Sequence, residues 1–298
     1  MSYKVLNTIL SIITVNYNGL ADTCEMIDSL PPYEGMEVIV VDNGSSINEA
    51  TEISARYPHV KAIRSEQNLG FAGGNNLGIK AAAGKYLFFI NNDTVVRDNW
   101  HIDQLIHRLE SSEKIGMVCP KIRFAWGSSP IQFAGYTSLS AITMRNHAIG
   151  FGEEDSGQYD TPHPTPYAHG AAMLAKREAI GKAGLMPECF FLYYEELDWS
   201  MMFTRAGYDI WYDPCCTIYH KESKSTGQAS PLKIFYTTRN RLLFVRRNVS
   251  GITKHFSYLY IIGIVAFRDI LFYTLKGRFD LAKATVRGIT NFLKNRQR

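Results

Sequence analysis

Within its first hundred residues the chain switches repeatedly between short apolar, β-branched runs and stretches of helical period. The runs at 9–15, 36–41, 60–64 and 86–90 read as buried strands, with helices at 20–30, 47–57 and 70–83 between them. Pro31-Pro32 ends the first helix, because proline has no N–H and disfavours helical backbone in the residue before it. Strands joined by crossover helices pair in parallel, and a parallel sheet needs helices on both faces. The fold class is therefore α/β, a mainly parallel twisted sheet with flanking helices. Such sheets bind ligands beyond the carboxyl ends of their strands. Three polar clusters fall there: Asn16-Tyr17-Asn18, Asp42-Asn43-Gly44-Ser45 and Asn91-Asn92-Asp93.

The stretch 115–230 is less regular. Residues 127–166 are rich in Gly, Ser, Thr and Pro and read as loops or a hairpin, and 176–183 and 197–206 read as short helices. The 298 residues show no internal repeat, and 46% apolar with 20% charged is a globular composition, not a disordered one. The five cysteines (Cys24, Cys119, Cys189, Cys215 and Cys216) are odd in number and lack CxxC spacing. That argues against a disulfide framework or a structural zinc site and for a reducing, cytoplasmic compartment. The opening residues MSYKVLNTIL carry no long apolar core, so no secretory signal is expected.

Charge is unevenly spread. From Ser230 onward there are 14 Lys+Arg against two acids, Asp269 and Asp280, while the preceding body carries 18 basic and 26 acidic residues. An acidic body with a basic tail implies a polyanionic partner for the tail. Residues 256–275 are apolar but interrupted by Arg268-Asp269, and the uncharged run 255–267 spans 13 residues, short of the ~18 of a membrane crossing. In 279–298 one helical stripe carries Phe279, Ala282, Val286, Ile289 and Leu293, and a neighbouring one Lys283, Arg287, Lys294 and Arg298. A basic amphipathic helix beside an apolar segment suits an anionic membrane surface on which it lies. The interleaved apolar run favours membrane over nucleic acid.

Six strings stand in order between Ile9 and His220: ILSIITVNYNG, VIVVDNGSS, NLGFAGGNNLGI, YLFFINNDT, YYEELDWSMMFTRAGY and IYH; the resemblance they carry covers about residues 8–250. Together they resemble the family-two inverting glycosyltransferases of the GT-A fold, and most of all the bacterial branch that builds surface polysaccharides, where rhamnosyltransferases are common. The resemblance implies a catalytic domain over 1–230, its nucleotide-binding half about 1–115 and its acceptor-binding half about 116–230, followed by a basic amphipathic helical tail, 231–298. It implies a nucleoside-diphosphate sugar donor, dTDP-L-rhamnose or a UDP-hexose, and a lipid-linked or oligosaccharide acceptor. The enzyme would sit at the cytoplasmic face of the membrane.

The resemblance also assigns residues. A carboxylate at Asp42 can accept the N3–H of uracil or thymine, and in the resembled family this position contacts the donor base, with Thr14, Val15, Asn16 and Tyr17 lining the same pocket. The glycine-rich string 68–76 opens a helix and suits a diphosphate, since exposed N–H groups and a helix N-terminus attract anions. Asn68, Gly70, Phe71 and Asn75 are its donor-site candidates. Asp93 closes a DxD-like motif whose last acid binds a divalent metal, Mn²⁺ or Mg²⁺, bridging the diphosphate; hard cations take such oxygen ligands. Asn91 stands where the first Asp usually sits, which lowers the charge of the site, and Asn92 lies between. His220 matches a second metal ligand of relatives, with Lys221 and Ser225 as phosphate contacts.

The acidic cluster Glu195-Glu196-Leu197-Asp198 aligns with the family's base motif. Glu196 is the base on that alignment, Glu195 its neighbour, and Asp198 an alternative. The chemistry needs one carboxylate within hydrogen-bond reach of the acceptor hydroxyl, and adjacent acids raise each other's proton affinity. His169 and Gly170 match a small-residue motif near the sugar, and Trp199 could stack on a sugar ring. Two rivals remain. A sugar-nucleotide transferase would place a Gly- and Arg-rich loop after the first strand, where this chain has Asn16-Tyr17-Asn18-Gly19. A non-catalytic binding module is compatible with Asn91 but leaves the acidic cluster unexplained.

Overall fold

The computed structural model describes residues 8–97, 99–222 and 230–295. The expected alternation is present: β1 (Leu10–Asn16), α1 (Leu20–Ser29), β2 (Met36–Asn43), α2 (Glu49–Arg56), β3 (Val60–Ser65), α3 (Gly70–Ala81) and β4 (Tyr86–Ile90). Leu30, the residue before Pro31, has extended backbone and ends α1. Asn48 caps α2 by accepting from the Thr51 N–H, so the helix starts two residues later than its apolar pattern suggested. The chain continues through β5 (Thr94–Val96), α4 (Ile102–Glu110), β6 (Ile115–Phe124), β7 (Ile131–Phe133), β8 (His163–Pro164), β9 (Ala172–Lys176), α5 (Arg177–Ala183), α6 (Glu195–Arg205) and β10 (Asp209–His220).

One sheet runs β3-β2-β1-β4-β9-β6-β10-β5, with β7 added on β6 and β8 on β10. It is parallel from β3 to β4, and β9 then runs antiparallel to both β4 and β6, so the whole is mixed. The reversal lies beyond the first hundred residues, where the strand signals are weak. β1, β2 and β4 are largely buried on both faces, as their unbroken apolar runs require, while β3, at the sheet edge, is only partly covered. Close helix–sheet approach is built into α3: a Cβ on Gly78 would stand 2.3 Å from Ile13 Cγ2.

Four helical segments complete the chain: α7 (Pro231–Asn248), α8 (Gly251–Tyr258), α9 (Phe267–Leu275) and α10 (Phe279–Lys294), with a π-helical stretch, Leu259–Ala266, joining α8 to α9. α7 is not set apart from the body. Its Leu242, Leu243, Phe244 and Val245 are buried in a second apolar cluster with Phe190, Met144, Ile261 and Phe292. Gly251–Leu275 forms 25 continuous helical residues, whose most apolar 18-residue window has mean hydropathy 1.6 and is 17% buried. By length and composition it could cross a bilayer, which the 13-residue uncharged run had argued against. The helix runs on past that run through Arg268 and Asp269, which pair with each other. The face that α10 buries also differs from the expected stripe. Leu281, Ala282, Thr285, Gly288 and Phe292 face inward, while Phe279, Val286 and Leu293 are exposed. At Gly288 the helix lies against α7, where a Cβ would stand 2.8 Å from the Phe235 carbonyl.

Candidate active site

The carboxyl ends of β1, β2 and β4 and the end of β10 open onto one cleft made of two adjoining cavities, of about 400 and about 310 Å³. Phe71, Asn91, Asp93 and Leu192 line both. The larger is walled by Val15, Tyr17, Asn68 and Gly70 and floored by Asn92 and Asp22. The smaller holds His169, Gly170, Glu195, Glu196, His220 and Gln132. A third cavity of about 550 Å³ shares no lining residue with these. Its cations are paired with its acids, Arg108 with Asp213 at 2.8 Å and Lys121 with Asp155 at 3.0 Å.

Sheet pairing brings Asp93 and His220 together. β10 and β5 run antiparallel with His220 opposite Thr94, which sets the imidazole beside the preceding residue. His220 Nε2 lies 3.1 Å from Asp93 Oδ1, and Asn91 Nδ2 is 3.4 Å from the same nitrogen. On the other side Nδ1 faces Gln132 Oε1 at 2.9 Å. Gln132 is buried on β7 and was not picked out from the sequence; nothing in its IQF string marks it. An imidazole whose Nδ1–H donates to Gln132 presents a lone pair at Nε2. At 3.1 Å from the Asp93 carboxylate, Nε2 can donate to it when it carries a proton, or share a cation with it when it carries the lone pair. The donor set of one carboxylate and one imidazole suits a divalent cation completed by phosphate oxygens and water. Among the described residues no group of three or more His, Cys, Asp or Glu gathers as a metal cage.

Glu195 and Glu196 open α6 in the smaller cavity. Glu195 is 3% exposed, and its Oε2 has no hydrogen-bond partner among the described residues. Burial first, and the adjacent Glu196 second, push its carboxyl up to about 8. Burial raises Glu196 as well. Gly170 lies against the Glu196 side chain and the Phe71 ring, each 3.8 Å from where a Cβ would be. His169 stacks on Tyr136 and takes the Ala171 N–H on Nδ1, which leaves its proton on Nε2. Burial, then His220, lowers it to about 3, so it stays neutral.

The backbone that delivers the two glutamates is bent. Phe191, Tyr193 and Tyr194 have φ of 67°, 70° and 77°. Each such non-glycine residue costs on the order of 1–3 kcal/mol and persists only where its surroundings hold it. The Phe71 N–H donates to the Phe191 carbonyl at 2.8 Å, which ties the bend to α3. Gly70 sits at φ 74°, and a Cβ there would stand 2.2 Å from the same carbonyl oxygen. Only glycine fits this junction.

Several expected contacts lie elsewhere. Asp42 is fully buried, its oxygens taken by Arg64 and by the N–H groups of Ser45 and Ala50. Burial raises its pKa, but these bonds outweigh burial and hold the carboxyl below its ordinary range. Asn16 is fully buried between Glu49 and Thr23, and Thr14 is fully buried in β1. Asn75 bonds back to the Phe71 carbonyl inside α3. Lys221 reaches Asp22 and Glu25 on α1, each at 2.7 Å. Asp198, the alternative base, is fully buried against Arg247 and Asn248 of α7 and does not line the cleft. Trp199 is core: it packs edge-on to Phe89 and donates to the Gly184 carbonyl. For Asp42, Asn16, Lys221 and Asp198 the polarity read from the sequence is used to join elements of the fold. Ser225 and Arg298 lie outside the described residues.

Known proteins resemble this chain in sequence and in fold. The chain is 25% identical over 251 residues to the low-salt glycan biosynthesis hexosyltransferase Agl10 of Haloferax volcanii, covering 78% of this chain and 74% of that protein. It is 24% identical over 242 residues to the N-acetylglucosaminyl-diphospho-decaprenol L-rhamnosyltransferase of Mycobacterium tuberculosis, covering 75% of this chain and 78% of that one. The fold matches GalNAc-T7, solved with UDP, GalNAc and Mn²⁺, at a TM-score of 0.63 and 17% identity, over 89% of this chain but 58% of that chain. It also matches the mannosyltransferase PcManGT of Pyrobaculum calidifontis, solved with GDP-Man and Mn²⁺, at a TM-score of 0.59 and 13% identity, over 97% of this chain and 88% of that one. These neighbours make the architecture GT-A-like. The model of the glycosyl transferase family 2 domain covers residues 11–183, which take in β2 to β4 and Asp93 and stop short of Glu195, Glu196 and His220. Because that match spans more than half of the chain, the chain belongs to glycosyl transferase family 2 and is a glycosyltransferase.

Proposed function

We propose that the chain moves a sugar from a nucleoside diphosphate in the larger cavity to an acceptor hydroxyl in the smaller one, with inversion at the anomeric carbon. The observation that carries the reading is the shared wall: Asp93 lines both cavities, with the buried glutamates on one side and the glycine-rich turn on the other. Tyr17 and Val15 flank the base, and Asn68 and Gly70 the diphosphate. Asp93 and His220 would hold a Mn²⁺ or Mg²⁺, and when bound this ion supplies Lewis-acid charge for the leaving diphosphate.

Glu196 takes the acceptor hydroxyl's proton. Its burial keeps its proton affinity above that of an ordinary carboxylate, nearer the operating pH that favours a base. The oxygen so activated attacks the anomeric carbon from the side opposite the leaving group, in one displacement with no enzyme-bound sugar. Neutral His169 offers an Nε2–H to the sugar or acceptor. dTDP-L-rhamnose is the preferred donor, by likeness to the mycobacterial relative, and a UDP-hexose the alternative. The acceptor is a lipid-linked or oligosaccharide hydroxyl in surface-polysaccharide synthesis.

The tail would bring the enzyme to that acceptor at the cytoplasmic face of the membrane. Phe256, Leu259, Phe267, Leu271 and Leu275 are exposed along one long helix, beside exposed Lys283, Arg287 and Lys294. Apolar side chains next to basic ones suit an anionic lipid surface.

Calorimetric titration of UDP, dTDP and GDP, each with and without Mn²⁺, tests the donor side. Metal-dependent binding of UDP or dTDP, with GDP excluded, is the expected result. A folded protein that binds none of them would refute the reading and favour a binding module of other specificity.

A further inference from the structure

The geometry points to Asn240, on α7, as a positioning residue that holds the bent 190–194 segment so that Glu195 and Glu196 face the cleft. Asn240 is fully buried. Its Nδ2 stands 2.9 Å from the Phe190 carbonyl, 2.7 Å from that of Leu192 and 2.8 Å from that of Tyr193. Arg239 donates to its Oδ1 at 2.7 Å and to the carbonyls of Cys189 and Phe190. Convergence of three carbonyls on one nitrogen and the positive φ at Phe191, Tyr193 and Tyr194 are two views of the same bend.

The bend matters chemically because it leads straight into the two glutamates. Tyr194 precedes Glu195 directly, so the orientation of the first turn of α6 is set by this segment. Leu192 lines both cavities and Tyr193 the smaller one. Without the amide, the three carbonyls that share its two N–H groups would lose those bonds and the strained residues would relax to ordinary φ. The glutamates would then swing toward water, where a carboxyl regains its usual acidity. A shift of about 1 Å in a reacting group is enough to cost roughly 10²-fold in rate.

The inference rests on the proposed role of Glu196 as base. Its test uses the full chain carrying Asn240→Asp, which keeps the shape and removes the donor. The substrates are Mn²⁺ with dTDP-L-rhamnose or UDP-glucose, whichever the wild type consumes, and a prenyl-diphosphate-linked sugar in detergent. We expect kcat to fall about 10²-fold with donor KM within threefold, and the acid limb of the kcat–pH profile to move down by at least one unit. A purely structural role would lower activity without moving that limb. Independently of turnover, amide exchange across 190–196 should rise at least tenfold while β1 and β4 stay protected. Should Asn240→Asp fail to fold, Arg239→Gln carries both measurements. A kcat within threefold of wild type, an unmoved acid limb or unchanged exchange overturns the inference. If Glu196→Gln is inactive while Asn240→Asp is normal, the positioning role fails and the base assignment stands. If Glu196→Gln turns over normally, the base assignment itself has failed.

Discussion

His220 divides its two ring nitrogens between Gln132 and Asp93: Nδ1 lies 2.9 Å from the Gln132 amide oxygen and Nε2 3.1 Å from the Asp93 carboxylate. The three residues come from β7, β10 and the turn after β4, so the site exists only once the mixed half of the sheet has closed. Gln132 holds the ring's angle from behind, where an Nδ1–H donated to its amide oxygen would leave Nε2 as the acceptor side.

Gln132→Leu should therefore weaken Mn²⁺ binding in the presence of a nucleoside diphosphate by about 10–100-fold. Calorimetry or the electron-spin signal of free Mn²⁺ reads this directly. An affinity equal to wild type would remove His220 from the metal site.

Glu195 makes stability fall as pH rises. Its carboxyl is raised by burial and by Glu196 to about 8, against 4.5 in the unfolded chain. Between those values the folded state binds a proton that the unfolded state has lost, so unfolding becomes easier across that window. Glu195→Gln should flatten the decline, raising Tm at pH 8 by several degrees and leaving pH 4 nearly unchanged. Thermal melts of both proteins across pH 4–9 check it, and parallel curves would show that Glu195 ionises normally.

Glu196 and Asp198 should separate cleanly. Asp198 ties α6 to α7 through Arg247, so Asp198→Ala should cost roughly 2–3 kcal/mol, less than a fully buried pair because Arg247 is partly exposed. Glu196→Gln should abolish transfer with Tm near wild type. Turnover by Glu196→Gln within tenfold of wild type would return the base role to another acid.

The exposed apolar face of the tail should carry the protein to lipid. Phe267→Ser, Leu271→Ser and Leu275→Ser combined alter side chains that are largely exposed, so folding should be little affected. Flotation with phosphatidylglycerol vesicles should drop to background in this variant while wild type floats. Equal flotation would place the contact elsewhere.

The α/β class and the polar strand ends were legible in the sequence because parallel strands buried on both faces must be apolar throughout, and the break to Asn or Asp at each end is abrupt. Periodicity located seven elements between Leu10 and Ile90 within a few residues. The acidic cluster and His220 stood out as well, being residue types that are costly to place without a use. Burial and partnership were decided elsewhere. Asp42, Asn16, Asp198 and Lys221 look like ligands in one dimension, yet each is consumed by a partner from another element. Gln132 and Asn240 carry no local signal and acquire their roles only from neighbours 88 and 47–50 residues away. The face that α10 buries was settled by Gly288 meeting α7, not by its most apolar stripe. The sequence by itself determined where the first four strands and three helices lie and which strand ends are polar, because those depend on period and local hydrogen bonding. Only the tertiary structure decided which polar groups remain for chemistry, because that depends on which of them long-range contacts have already satisfied.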